Sequence, residues 1–464
     1  MNNTIKSGPG GVLNMTEGKP YFMITRFALP VLLSQVFQQL YNTADTYIVG
    51  RFLGTKALAA VSSSGTLIFL IISLFIGFAM GSGVVISRFF GANDAQRVSK
   101  AVHTNVTIGL ISSVILTVIG VLFTPTFLRW MNTTEEALPL AIQYFKFYFW
   151  GITTNMMYNM LKGIMNAVGD SKRPLYYLIF SSLLNIGLDL LFVAGFRWGV
   201  WSAAVATVIS QGVSCVLCLI HLMQKGHIYT IEIKKLGIDR EMLGLIVKYG
   251  IPSGIQNSVI GFANVIVQTQ INSFGVQAMA AFGTYSKIEG FAFLPIMSFN
   301  MAITTFVGQN LGAGLKKRAK KGAAFGIAAS VIMAAVIGVV FFLLAPHLIA
   351  LFDPTPEVVA MGAQQAHIES LFYGMLAFTH AVASVCRGAG KALVPMFAML
   401  GVWCVFRIAY ILTVMKLFGE IKYVYTAYPV TWTITSIFFL IYFLRSNWVN
   451  GFDGKPRGKL SEDV

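Results

Sequence analysis

Charge is what this chain has least of. Only 11% of its 464 residues are Asp, Glu, Lys or Arg, where soluble domains average about 25%. With 56% apolar residues and a mean hydropathy of +0.71, too little polar surface remains to cover a water-soluble globule of this size. The first 20 residues are polar and contain no apolar core, so no cleaved signal peptide is expected. The four cysteines, Cys215, Cys218, Cys386 and Cys404, avoid the external loops, which argues against a disulfide framework. Cys215 and Cys218 have the spacing of a metal pair, but no second pair lies nearby and zinc needs four ligands, so helix packing is the expected role. No Walker A motif occurs: Gly388-Ala389-Gly390-Lys391 lacks both the spacing and a preceding strand. ATP is therefore not the expected direct energy source. The six histidines are scattered, with no HExxH, and no other catalytic cluster stands out. The chain is not expected to be an enzyme or to carry a resident cofactor.

Long apolar runs are abundant. About twelve are long enough to cross a bilayer: roughly 27–50, 61–87, 101–123, 138–161, 175–195, 199–222, 244–271, 279–306, 323–345, 358–385, 394–415 and 424–444. Their length and their Gly and Pro content exclude the short alternating strands of a membrane barrel. The expected fold is an all-α polytopic membrane protein. A net charge of +16 suggests nucleic acid until its distribution is read. If the N-terminus is cytoplasmic, 25 of the 34 basic residues fall on that side and 6 in external loops. This is the positive-inside bias. It implies an even number of spans, cytoplasmic termini and a lipid bilayer as partner, with no role for nucleic acid.

The second half repeats the first. Gly54, Gly91, Pro125, Gly169 and Pro174 recur 221 residues later as Gly275, Gly312, Pro346, Gly390 and Pro395. Pro30 and Pro252 differ by 222, which places one indel between 30 and 54. Two bundles of six spans, related by a pseudo-two-fold axis along the membrane normal, are the expected architecture. The divisions are a tail over 1–24, a first lobe over 25–222, a cytoplasmic linker over 223–243, a second lobe over 244–445 and a tail over 446–464. In the linker, Ile228, Ile231 and Ile233 alternate with charge, which fits either an amphipathic surface segment or a plain connection. The last tail, from Asn447, is Gly-rich, charged and expected to be disordered.

An ionisable side chain at a helix centre costs roughly 2.5–3.5 kcal/mol on insertion scales. The mid-span set is short: Asp45, Lys146, Asp189, Lys287, Glu289, Glu369 and Arg407. Gln35, Gln38, Asn42 and Asp45 are spaced 3, 4 and 3 along one helical face, with Tyr41 one turn before Asp45. That face is expected to point inward. Asn185 lies one turn before Asp189. A carboxylate and an amide on one turn hold a proton or a small hard cation, and two carboxylates brought together share a proton. Under the repeat, Gln35 maps to Gln256 and Asn42 to Asn264, whereas Asp45 and Asp189 map to apolar or aromatic positions. The scaffold is duplicated and the acids are confined to the first lobe. The alternative is that Asp45 and Asp189 are structural partners locking two helices.

These residues resemble the multidrug and toxic compound extrusion (MATE) transporters, in particular the prokaryotic DinF-like branch. The resemblance rests on Pro30, Gln38, Tyr41 and Asp45 in the first span, Asn185-x-x-x-Asp189 in the fifth and Thr207 in the sixth, and covers roughly residues 20–445. It implies cation coupling at Asp45, Asn185, Asp189 and Thr207, with H⁺ or Na⁺ as the coupling ion. Pro30 is implied to let the first helix bend, its missing N–H weakening the ladder. Glu289 is a second cation site, a contact for a cationic substrate, or half of an ion pair with Arg407. Gln256, Asn264 and Met160 are further candidates for a substrate site, Met156, Met157 and Met160 offering adaptable thioether surface or simple packing. The resulting expectation is a monomeric exporter in the cytoplasmic membrane that expels amphipathic, often cationic, small organic substrates in exchange for H⁺ or Na⁺. The rival is a lipid-linked oligosaccharide flippase, which predicts a cavity rich in Arg and Lys.

Overall fold

The structure, a computed structural model, describes residues 12–130 and 138–452, excepting the side chains of 55, 58, 59, 62–71, 74 and 130. Long apolar runs, whose backbone groups find partners in lipid only within the helix, make almost all of it helical. The first half contains α1 (Pro20–Gly91), α2 (Ala95–Trp130), α3 (Leu138–Trp150), α4 (Ile152–Val168), α5 (Lys172–Asp189) and α6 (Val200–Leu222), with a π-helical turn at Leu190–Gly195. The second contains α7 (Arg240–Asn272), α8 (Val276–Gly312), α9 (Lys316–Ala350), α10 (Pro356–Glu369), α11 (Tyr373–Gly388), α12 (Leu393–Met399), α13 (Arg407–Leu417) and α14 (Ile421–Arg445), with a π-helical turn at Leu400–Phe406. No strand occurs among the described residues.

Each of the twelve expected spans falls on helix. Nine spans among the described residues are long and apolar enough to cross a membrane by length and composition. The other three are the second part of α1, where the apolar stretch is Phe75–Gly91, the pair α3–α4, and α7. The α3–α4 pair is interrupted at Gly151, and α7 carries Gln256, Asn257, Asn264, Gln268, Gln270 and Asn272, which lower its hydropathy.

Backbone geometry repeats with the sequence. Gly54 (φ 84°, ψ 179°) breaks α1 between two spans, and Gly275 (φ 99°, ψ −177°) stands at the same break before α8. An L side chain rarely adopts that conformation, which explains the paired glycines. Gly151 (φ −99°, ψ 7°) interrupts the fourth span, and Phe372, 221 residues later, has φ −95° and ψ 4° in the tenth. The π turns are not equivalent: Leu190 corresponds to Ile411, inside α13, beyond the π turn at Leu400–Phe406.

The halves meet through equivalent residues. A Cβ on Gly91 would stand 2.0 Å from the carbonyl oxygen of Gln309, and one on Gly312 would stand 2.0 Å from that of Arg88. Positions 88 and 91 correspond to 309 and 312, so one contact is made twice about the pseudo-axis. Among the described residues, the hydrogen bonds between halves gather at the end bearing the linker. Gln309 Oε1 accepts from Met15 N (3.1 Å) and its Nε2 donates to the Ala167 carbonyl (2.8 Å). Arg88 donates to Phe452 O, and Arg318 to the carbonyls of Met15, Glu17 and Gly18. The pair farthest from that end is Ser73 Oγ···Ser258 Oγ at 2.8 Å. Residues 12–18 and 447–452 thus lie at the same end of the bundle.

In the linker, Tyr229 and Ile231 are buried in the core and Ile233 is exposed, while the amides of Glu232 and Asp239 donate to His103 Nε2 (2.9 Å) and Thr104 Oγ1 (3.0 Å) on α2. One expectation at that end is corrected. In the C-terminal tail, Trp448, Val449 and Phe452 are buried against the core, because large apolar side chains outweigh the charge nearby. The rest of that expectation, over 453–464, lies outside the described residues.

Candidate functional site

Asp45 and Asp189 reach one place from different helices. Asp45 lies on α1 nine residues before the Gly54 break, and Asp189 is the last residue of α5, at the junction with the π turn. π turns redirect side chains and recur at functional sites. The two carboxyl groups stand beside one another. Asp189 is fully buried and Asp45 is 8% exposed. Among the described residues, no N–H or O–H donor is hydrogen-bonded to Oδ1 of Asp45 or to either oxygen of Asp189. A hydrogen bond between the two carboxyls needs a proton on one of them. Buried acceptors without donors are rare in native proteins, and each asks for an occupant.

Asn185 and Thr207 are placed together on a small polar cavity of about 20 Å³, which Gln38, Tyr41 and Asn159 also line. That is room for roughly one water or a small cation. Both amide atoms of Asn185 are buried and without partners. The amide stripe on the first span is only partly inward. Asn42 is exposed, and so is its repeat partner Asn264, which lines no described cavity. The backbone stays helical through Pro30, the one non-helical residue within α1 being Gly54. Ser34 Oγ donates to the Pro30 carbonyl at 2.9 Å.

A larger cavity, about 390 Å³, lies between the halves. Ile76, Ala79, Met80, Gly83 and Val84 of α1 line one side, and Met297, Asn300, Met301, Thr304 and Thr305 of α8 the other. Each pair is 221 residues apart, and the spacing of 3, 1, 3 and 1 is one helical face. Asn166 and Arg387 form a sixth such pair. The repeat and the helical period together are the signal in the sequence that marks this lining. Gln38 and Asn159 line both cavities, so they connect the small polar pocket with the central one.

Three substrate candidates are placed elsewhere. Met160 is fully buried in an apolar cluster with Met156 and does not line the central cavity; it packs where Gly109 leaves room on α2. The methionines that do line it are Met80, Met297 and Met301. Gln256 is buried and holds Arg387, its Oε1 accepting from the guanidinium at 3.5 Å. Glu289 is half-buried in the second lobe, and no salt bridge joins it to Arg407 among the described residues. Arg407 instead donates to Thr431 Oγ1 (2.8 Å) and stacks over Tyr428, 4.5 Å from its centroid. Glu369 is fully buried, with Oε1 accepting from Gln365 Nε2 (2.9 Å) and Oε2 without a donor.

The MatE family model matches residues 30–191 and 252–413, one copy in each half. The chain is 29% identical over 426 residues to "Probable multidrug resistance protein YoeA" of Bacillus subtilis, spanning 90% of this chain and 91% of that one. It is 24% identical to "Multidrug export protein MepA" of Staphylococcus aureus over 83% of this chain and 86% of that one. Its fold is similar to that of a solved MOP superfamily transporter from Pyrococcus furiosus, with a TM-score of 0.87 at 22% identity, over 94% of this chain and 97% of that chain. The duplicated six-span halves, the cavity between them and the double match place this chain in the MatE family of multidrug and toxic compound extrusion transporters.

Proposed function

We propose that the protein exports small amphipathic organic compounds across the cytoplasmic membrane, in exchange for H⁺ or Na⁺ moving inward. The observation that carries this reading is the pair of abutting, buried carboxyls, Asp45 and Asp189, in the same half as a small polar cavity, lined by Asn185 and Thr207, that shares Gln38 and Asn159 with the cavity between two similar halves. A proton shared by Asp45 and Asp189 satisfies them. So does Na⁺, with Asn185 and Thr207 supplying further oxygens. Occupancy changes the charge on α1 and α5, and that change biases the packing of the first half against the second. With both termini cytoplasmic, the halves are joined here at the inner end, an arrangement suited to receiving the ion from outside. One charge moving inward gains about 2.3 kcal/mol per 100 mV, enough for roughly a 50-fold substrate gradient.

The test is ethidium efflux from membrane vesicles with a proton or a sodium gradient imposed separately. Wild type is expected to respond to one gradient, and the variants Asp45→Asn and Asp189→Asn to neither. Undiminished transport by the double variant under both gradients would remove these residues from coupling. The flippase reading needs a cavity rich in basic side chains for a pyrophosphate. The central cavity holds two, Lys162 and Arg387.

A further inference from the structure

Lys162 and Arg387 are one cation from each half, α4 and α11, on the wall of a single cavity. No Asp or Glu lines that cavity, and neither cation has a salt-bridge partner among the described residues. Arg387 is 7% exposed. Its guanidinium is steadied by Ser384 Oγ (2.9 Å) and Gln256 Oε1 (3.5 Å), while its Nε has no acceptor. Lys162 sits over the Tyr158 ring, 5.3 Å from the centroid. Around them the Ser171 hydroxyl and the amide oxygens of Asn166 and Asn300 are buried with no hydrogen-bond partner among the described residues. A buried cation without a counter-charge is costly, and a cluster of unused polar groups beside it is what an absent ligand leaves behind.

We propose that this cavity recognises a compact oxyanion, a carboxylate carried on an apolar aromatic body, held between Lys162 and Arg387. The methionines at 80, 297 and 301 receive the apolar part, thioethers adapting to varied shapes. Guanidinium and ammonium together give charge-assisted hydrogen bonds to the carboxylate oxygens, and the Ser171 hydroxyl, on the same wall, is a further donor. Because the cations come from different halves, the bound carboxylate ties the halves together. The substrate class thus extends to acids and zwitterions. This rests on the export reading only for its consequence, since binding itself needs no gradient.

The test measures binding of rhodamine B and of its ethyl ester to the purified full-length transporter by fluorescence polarisation. The two dyes share a cationic xanthylium body and differ in whether the carboxylate is free or capped. Wild type is expected to prefer the acid, and the ratio of acid to ester affinity to fall about tenfold or more in Arg387→Gln and in Lys162→Gln. Arg387→Lys and Lys162→Arg should each recover part of that ratio. Variants are compared only where thermal unfolding shows a folded protein, and the conservative pair supplies a reading if the Gln variants fail to fold. A wild type that does not favour the acid, or a ratio unchanged in the variants, overturns the proposal. Gradient-driven ethidium efflux is scored separately: its failure counts against export, while the binding ratio still decides this site.

Discussion

Two carboxyl groups facing each other in an apolar bundle cannot both remain charged without a counter-ion. Replacing either Asp45 or Asp189 by Asn is therefore expected to abolish the roughly 50-fold accumulation that one charge per 100 mV supports, and vesicle efflux under an imposed gradient checks this. Gln38→Leu should slow coupling while both acids remain, because it removes one of the two polar groups shared by the small and central cavities; the same efflux assay reads the rate. Asp239 carries a structural prediction outside the spans. Its Oδ1 accepts from the Met242 amide at 3.1 Å and caps α7, while Oδ2 pairs with Lys100 at 2.9 Å. The Lys100 bond first, then the backbone N–H groups, hold this carboxyl below its usual range. The cap's contribution is therefore complete at neutral pH and fades as acid protonates the folded form. Asp239→Ala is expected to cost about 1 kcal/mol by loss of the cap, seen as a lower midpoint of thermal unfolding at pH 7 and a smaller difference near pH 3. Asp45, Asp189 and Asn185 were legible in the sequence because acids and paired amides are so scarce inside its spans. Met160 was not, because nothing in a methionine's position shows whether its face meets a cavity or a gap left by a glycine on the next helix.

Helix content and span positions could be read from hydropathy alone, since twelve long apolar runs leave no other economical solution for the backbone in lipid. The interruptions inside the spans were not legible. Gly151 and Phe372 adopt nearly the same non-helical conformation, yet one is a glycine and the other an aromatic, so composition gives no warning. The same holds for the π turn that follows Asp189, which depends on packing rather than on any local breaker. Gly54 and Gly275 are different, because their positive φ explains why both positions hold glycine. Gly275→Ala is expected to lower stability by about 1–3 kcal/mol even though nothing lies close enough to clash with the added methyl. Thermal unfolding of the purified variant measures it.

Across the whole molecule the halves part only if the contacts at the linker end let go. Ser73 and Ser258 mark how far those contacts reach toward the opposite end. A disulfide in Ser73→Cys/Ser258→Cys should arrest ethidium efflux, and reduction should restore it; efflux that continues in the oxidised double variant would show that the halves need not separate there. The duplication was legible from five Gly and Pro pairs, but the central cavity only through the repeat taken together with the helical period, because its lining residues differ in type between halves and agree only in position. The joint at Gly91 and Gly312 has a corollary. Since Gly91 abuts Gln309 and Gly312 abuts Arg88, each half offers both faces of the seam. A chimaera reading residues 12–222 twice in tandem should still close on itself, now with an acid pair on either flank and Asn166 where Arg387 had been. Such a protein would move twice the ions per cycle and carry one Lys162 from each half in place of the Lys162–Arg387 pair.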